Sequence, residues 1–297
     1  IIQRILLSAV LIFLVFYTTL PAINLPDRSI IIFLMISIAI ILFVNFLSYM
    51  KVFLEGLNQG GIHGFHGISG ADIARPVKYG LGLIVILAAF YCVASLAGLK
   101  LFNASRYRDL ITINEGSFTE DISEISMSQI PVVDKDTASR LGNRKLGEMT
   151  ELVSQFEIEE DYTQINYQGA PYRVTPLAYA DPIKWLFNMQ EGLPAYITVD
   201  MVSQETNLVW LESGMKYSPS EYFFRNIYRY LRFSYPTKMF DIVSFEIDDN
   251  GTPYWVAPTI AYRVGWWDGK DINGAVLVNA VTGESQYYPK EEVPQWI

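Results

Sequence analysis

Gly251-Thr252-Pro253-Tyr254-Trp255-Val256-Ala257-Pro258 restates Gly169-Ala170-Pro171-Tyr172-Arg173-Val174-Thr175-Pro176, which lies 82 residues earlier, in the shared pattern G-x-P-Y-x-V-x-P. A second pair follows in the same order. Val278-Asn279-Ala280-Val281-Thr282-Gly283-Glu284-Ser285 aligns with Val199-Asp200-Met201-Val202-Ser203-Gln204-Glu205-Thr206 at an offset of 79. Two matches in one order and nearly one register read as an internal duplication.

Each piece has a local physical reading. Gly-x-Pro ahead of an alternating run is turn chemistry followed by a strand. Phe245-Glu246-Ile247 is a preceding strand, and Asp248-Asp249-Asn250-Gly251 is a hairpin turn. Ala275 to Ala280 is an apolar strand, Val281-Thr282-Gly283-Glu284 a turn, and Ser285 to Tyr288 a further strand. A helix precedes each set. Ser218-Pro219-Ser220-Glu221 reads as an N-cap, a Pro in the first turn and an early acid. Tyr222, Phe223, Ile227, Tyr230 and Leu231 then share one side, Arg225, Arg229 and Arg232 largely the other, and Pro236 bounds the end. The counterpart helix is Asp136 to Leu146, with Thr137 standing 82 residues before Pro219. An additional helix, Asp181 to Met189, is inserted in the first unit. The expected fold class is α+β: tandem units at 135–217 and 218–297, each a helix on a small antiparallel sheet.

Upstream the composition changes. Residues 101–134 read as a juxtamembrane connector holding Arg106-Tyr107-Arg108 and the acidic stretch Glu115 to Glu124. Residues 1–100 contain three hydrophobic runs, about 5–23, 30–49 and 79–99, each near the ~20 residues that span a bilayer core. A cleaved signal peptide is not followed by two further runs. The expectation is a three-helix transmembrane anchor in the lipid bilayer. The chain runs from Ile1 to Ile297, and a segment of a longer protein is expected.

Charge supplies an orientation. Lys51, Arg75 and Lys78 flank the loop between the second and third runs, which the positive-inside rule assigns to the cytoplasm. The C-terminal region is then outside. Arg106 and Arg108 argue weakly against this. Through Leu99 the balance is +2, from Arg4, Arg28, Lys51, Arg75 and Lys78 against Asp27, Glu55 and Asp72; the whole chain is −9, so the remainder is −11. An acidic domain without a basic stripe repels nucleic acid.

Candidate chemistry is sparse. Cys92 is the single cysteine and lies in an apolar run, so neither an intramolecular disulfide framework nor a cysteine-based zinc site is available. The two histidines, His63 and His66, sit in the Gly-rich loop Asn58 to Gly70, too few for a metal shell. Beyond Lys100 there is neither His nor Cys, which removes Ser-His-Asp and Cys-His catalysis. Carboxylates remain, at Asp248-Asp249, Glu157 to Asp161 and Glu291-Glu292, but turns account for the first two clusters. Asp248, Asp249 and Asn250 lack the spacing of an EF-hand calcium loop. No catalytic residue, metal or cofactor is assigned. The aromatics Trp266, Trp267 and Tyr254 are the candidate partner-binding residues; adjacent tryptophans cannot both point into one core. Ala94 and Gly98 form a small-xxx-small step through which another helix, or a second copy, could approach.

A helix, then G-x-P-Y-x-V, then V-[DN]-A-x-T-G-E, resembles the PepSY domain family. Val278 to Glu284 carries the closing signature well. Val199 to Glu205 carries it loosely, Ser203-Gln204 replacing Thr-Gly. The resemblance covers the C-terminal region only. The chain as a whole is similar to multi-pass membrane proteins of Gram-positive bacteria. It implies an extracytoplasmic binding or regulatory module of the cell envelope rather than an enzyme, with an envelope peptidase, a peptide or another membrane protein as partner. It supplies no catalytic residues. The competing readings are a structural or transport-associated subunit of a larger membrane complex and a carboxylate-only hydrolase acting on envelope glycan.

Overall fold

The computed structural model describes residues 2–58, 70–111 and 129–297, with residues 113, 115–121, 124 and 126 of the connector. The chain divides into two compact units. One comprises residues 1–111, 235–239 and 262–271; the other comprises 112–234, 240–261 and 272–297.

The first unit is built on α1 (Ile2–Thr19), α2 (Arg28–Asn58) and α3 (Gly70–Ala97), followed by the short α4 (Lys100–Arg108). α1 packs on α2 and α2 on α3. All three long helices are long and apolar enough to cross a membrane. Leu14, Phe43 and Val85 are exposed on them, a surface suited to lipid rather than water. α2 and α3 run past the apolar stretches that announce them. α1 stops earlier, at Thr19, because Leu20 turns to φ 47° ahead of Pro21. Asp27 fixes the following turn: its carboxylate accepts the Ala22 N–H at 2.9 Å and the Ser29 N–H at 2.8 Å.

The second unit contains α5 (Phe118–Asp121), α6 (Lys135–Gly147), α7 (Thr150–Val153), β1 (Phe156–Ile158), β2 (Thr163–Tyr167), β3 (Ala170–Tyr179), α8 (Pro182–Asn188), β4 (Leu193–Asp200) and β5 (Thr206–Met215). α9 (Ile227–Ser234), β6 (Ser244–Ile247), β7 (Pro253–Val264), β8 (Asp268–Asn279) and β9 (Ser285–Pro289) complete the chain; the hairpin end of β7–β8 belongs to the first unit. The sheets are antiparallel. β6-β7-β8-β9 run in chain order, as do β3-β4-β5, while β2 pairs with the first half of β3 and β1 with its second half.

The duplication extends to single hydrogen bonds. Asp200 Oδ1 accepts the N–H groups of Val202 and Ser203 at 2.8 and 2.9 Å; Asn279 Oδ1 accepts those of Val281 and Thr282, both at 2.9 Å. The Gln204 and Gly283 N–H groups reach back to the carbonyls of Asp200 and Asn279, and both residues sit at positive φ. The Met201 N–H donates to Pro171 O, as Ala280 N–H does to Pro253 O. The segment before each helical region is tied identically: Val132 and Val133 donate to Met201 O, Lys216 and Tyr217 to Ala280 O. Arg173 Nε donates to Val133 O, and Trp255 Nε1 donates to Tyr217 O.

The two helical starts differ. Asp134 caps α6 by accepting the Thr137 N–H at 2.7 Å. Ser218 accepts the Glu221 N–H at 3.2 Å, but only a 3-10 turn, Phe223–Arg225, follows before α9. Phe223 takes φ 52°, Asn226 is extended, and α9 begins only at Ile227, so the helix expected from Pro219 is shorter than its sequence signal. The cause is tertiary. Glu221 is drawn inward by Tyr179 and Trp185, and the Tyr222 ring packs on Trp185 at 4.7 Å. The inserted helix is α8, capped by Asp181 through the N–H groups of Ile183 and Lys184.

Candidate binding groove

Strand alternation gives the first sheet two unlike faces. Ala195, Ile197 and Val199 of β4 are fully buried on one, against which α6 packs with the stripe Ala138, Gly142 and Leu146. Tyr196, Thr198 and Asp200 point the other way. Registers place Tyr172 beside Asp200, and Asn207 and Val209 of β5 beside Thr198 and Tyr196, on this second face. Part of it is covered by β6: the Phe245 ring lies 5.9 Å from Tyr196, whose hydroxyl donates to Gly251 O at 2.9 Å. The remainder is open. A groove of about 770 Å³ has Tyr167, Tyr172, Thr198, Asn207 and Val209 on its floor. Its walls are Trp210 to Ser213 of β5, Asn250 to Pro253 of the β6–β7 turn, and Asn279 to Thr282 of the β8–β9 turn. The size suits one or two large side chains of a ligand.

The groove is aromatic and weakly acidic. Tyr167 and Tyr172 meet edge to face at 5.7 Å. Burial raises the Tyr172 hydroxyl above its ordinary value, and the neighbouring Asp200 carboxylate adds to the shift. Burial pushes Tyr196 up to about 12. These phenols are therefore donors rather than nucleophiles at neutral pH. Burial also raises Asp200, but backbone N–H bonds from Ser203 and Val202 outweigh it and hold the carboxyl low. Glu212 is the carboxylate in the wall. Such a set can stack on aromatic or apolar groups, accept from a cation and donate from tyrosine. It resembles a recognition surface more than a catalytic constellation.

The sequence-selected aromatics stand elsewhere. Trp267 is 2% exposed and belongs to a cluster in the first unit with Ile30, Ile31 and Ala94. Its ring lies 5.9 Å from Phe90 and 5.1 Å from Tyr91. Arg28 stacks over it at 5.7 Å and donates to Trp267 O and to Asp268 Oδ1, the latter at 3.0 Å. Trp266 stays 44% exposed while meeting the same Phe90 edge-on at 5.1 Å. The two tryptophans sit in the turn between β7 and β8, one buried and one partly exposed. Gly98 and Gly265 allow this docking: a Cβ on Gly98 would strike the Asp268 carboxylate, and one on Gly265 would lie 2.9 Å from Gly98 Cα. The Ala94–Gly98 step therefore receives the β7–β8 hairpin of its own chain. Tyr254 lies on the second sheet, 5.4 Å from Trp296.

The groove residues Tyr167, Tyr172 and Tyr196 were not singled out from sequence. Their alternation was visible, but which side of a strand stays open depends on what packs against it. Asp248 is consumed by its turn: Oδ1 accepts the N–H groups of Asn250 and Thr252 at 2.9 and 2.8 Å. His63 and His66 lie outside the described residues. Among the described residues, no group of three or more His, Cys, Asp or Glu side chains could hold a metal ion.

Glu221 is 2% exposed and accepts from the Tyr179 hydroxyl at 2.8 Å and Trp185 Nε1 at 2.7 Å. Burial raises its carboxyl despite these donors. Shielded from solvent, it fastens α8 to the segment before α9. Comparison with family models, with curated proteins and with solved structures found no match.

Proposed function

We propose that the protein is a membrane-anchored, multi-pass binding or regulatory module of the bacterial cell envelope, non-catalytic, with an extracytoplasmic pair of PepSY-like units. The observation that supports this reading is the open aromatic groove on the first sheet, whose tyrosines and carboxylates suit recognition. Orientation rests on charge. The α1–α2 turn, the end of α3 and the β7–β8 tip share one end of the helices through the Arg28–Asp268 and Trp267 contacts. Lys51 of α2 stands 23 residues from Arg28, about 35 Å along a helix. The basic end is therefore remote from the hairpin, and the positive-inside rule favours an exported C-terminal region. The main sequence support for a subunit of a larger complex, the Ala94–Gly98 step, is occupied internally.

In-cell photo-crosslinking from position 172, with a reporter of sidedness at position 297, tests the reading. The expected result is a discrete cross-linked envelope protein or peptide and an external C-terminal region. A cytoplasmic reporter, or cross-links to lipid alone, would sink it.

A further inference from the structure

The duplication shows what a covered version of the groove looks like. On the second sheet the corresponding face is formed by Tyr254, Val256, Ala275, Leu277 and Tyr288. Val256, Ala275 and Leu277 are at most 5% exposed there, because Val293 and Trp296 pack over them together with Tyr254 and Tyr288. An apolar-aromatic segment, Val293 to Trp296, thus lies on the sheet as a turn in which the Ile297 N–H donates to Pro294 O at 3.2 Å. By the repeat alignment Tyr254 matches Tyr172. The registers Ala275↔Tyr288 and Tyr196↔Val209 match Tyr288 to Val209. Tyr172 and Val209 line the open groove. The residues that hold the segment on one sheet have open equivalents on the other.

Resting on the binding-module reading above, we propose that the groove takes a short apolar-aromatic turn segment of another polypeptide. The segment sets an aromatic side chain against Tyr172 and an apolar one against Val209, as Trp296 and Val293 do on the second sheet. Glu212 in the wall, within a C-terminal region of net charge −11, favours a basic flank on that segment.

The test uses the full chain in detergent micelles and two fluorescent octapeptides. One has the sequence of residues 290–297, KEEVPQWI; the other replaces both glutamates with lysine. Saturable binding is expected for both, tighter for the lysine form. Tyr172→Ala and Val209→Arg should each weaken it at least about tenfold, and Tyr254→Ala less than about twofold. Val209 is partly exposed on an edge strand, so that variant keeps the test alive if Tyr172→Ala misfolds. No saturable binding by either peptide overturns the proposal, as does a loss confined to Tyr254→Ala. Self-association that disappears on removing residues 293–297 would assign the groove to a second copy and overturn it equally. Cross-linking of an envelope protein from position 172 that survives Val209→Arg would refute this inference while leaving the module reading intact.

Discussion

Tyr172 and Tyr254 hold the same position in two copies of one sheet, yet one faces an open groove and the other lies under Trp296. The copies share their turns, their ties to the preceding segment and their strand order. They differ in what crosses the sheet and in what joins the second strand to the third. The first copy inserts α8, whose Trp185 donates to Glu221. The second makes a direct hairpin whose Trp267 packs onto α2 and α3. The two sheets share backbone hydrogen bonds at matched residues and differ in what covers their faces.

The largest effect should come from that hairpin. Trp267→Ala removes a fully buried indole and is expected to cost about 3–5 kcal/mol, read as a lower unfolding temperature in micelles. Trp266→Ala, half exposed, should cost under about 1.5 kcal/mol. Equal losses from the two would refute their division of labour. Next is the shared turn. Gly283 sits at φ 78° with the Tyr217 ring within 2.6 Å of where a Cβ would stand. Gly283→Ala should cost about 2 kcal/mol or more. Trp296→Ala should open the second face at a cost of roughly 2 kcal/mol, since the ring is only partly buried; an unchanged melting curve would mean the segment is not a cover.

Smaller effects sharpen the same comparison. Burial raises the Glu221 carboxyl above its unfolded value, so its contribution is complete at low pH and is lost as pH climbs from about 4.5 through the folded value. Glu221→Gln keeps both hydrogen bonds if its oxygen accepts from Trp185 and its amide donates to Tyr179. Its stability relative to the parent should therefore improve as pH rises from 4 to 7. A parallel pair of pH curves would contradict the buried, ionised carboxylate. The smallest change is Gln204→Gly. Gln204 occupies at φ 65° the site that Gly283 fills in the other copy, and the substitution should stabilise by about 0.5–1 kcal/mol. Destabilisation there would show that the Gln204 side chain has a role of its own.

Much of this was legible in the residues. The Gly-x-Pro-Tyr repeat and the Asp-Asp-Asn-Gly turn are local, and local chemistry decides them. Ser218-Pro219-Ser220-Glu221 is the instructive exception. Its helical signal is overridden because Glu221 finds donors on β3 and α8, residues it cannot meet until the sheet has formed. The Ala94–Gly98 step was legible as a close-approach site, and its occupant was not, since Trp267 and Asp268 arrive from more than 160 residues away.

The sequence by itself determined three apolar helices, an acidic C-terminal region and a duplicated helix-and-sheet plan, because hydropathy, charge and turn chemistry are carried within short windows of chain. Only the tertiary structure decided which tryptophan is buried, which carboxylate is sequestered and which of two equivalent sheet faces is left open. Those outcomes depend on what packs against a face, and the two copies pack against different neighbours: β6 reaches part of the first face, and Val293 to Trp296 reach the second.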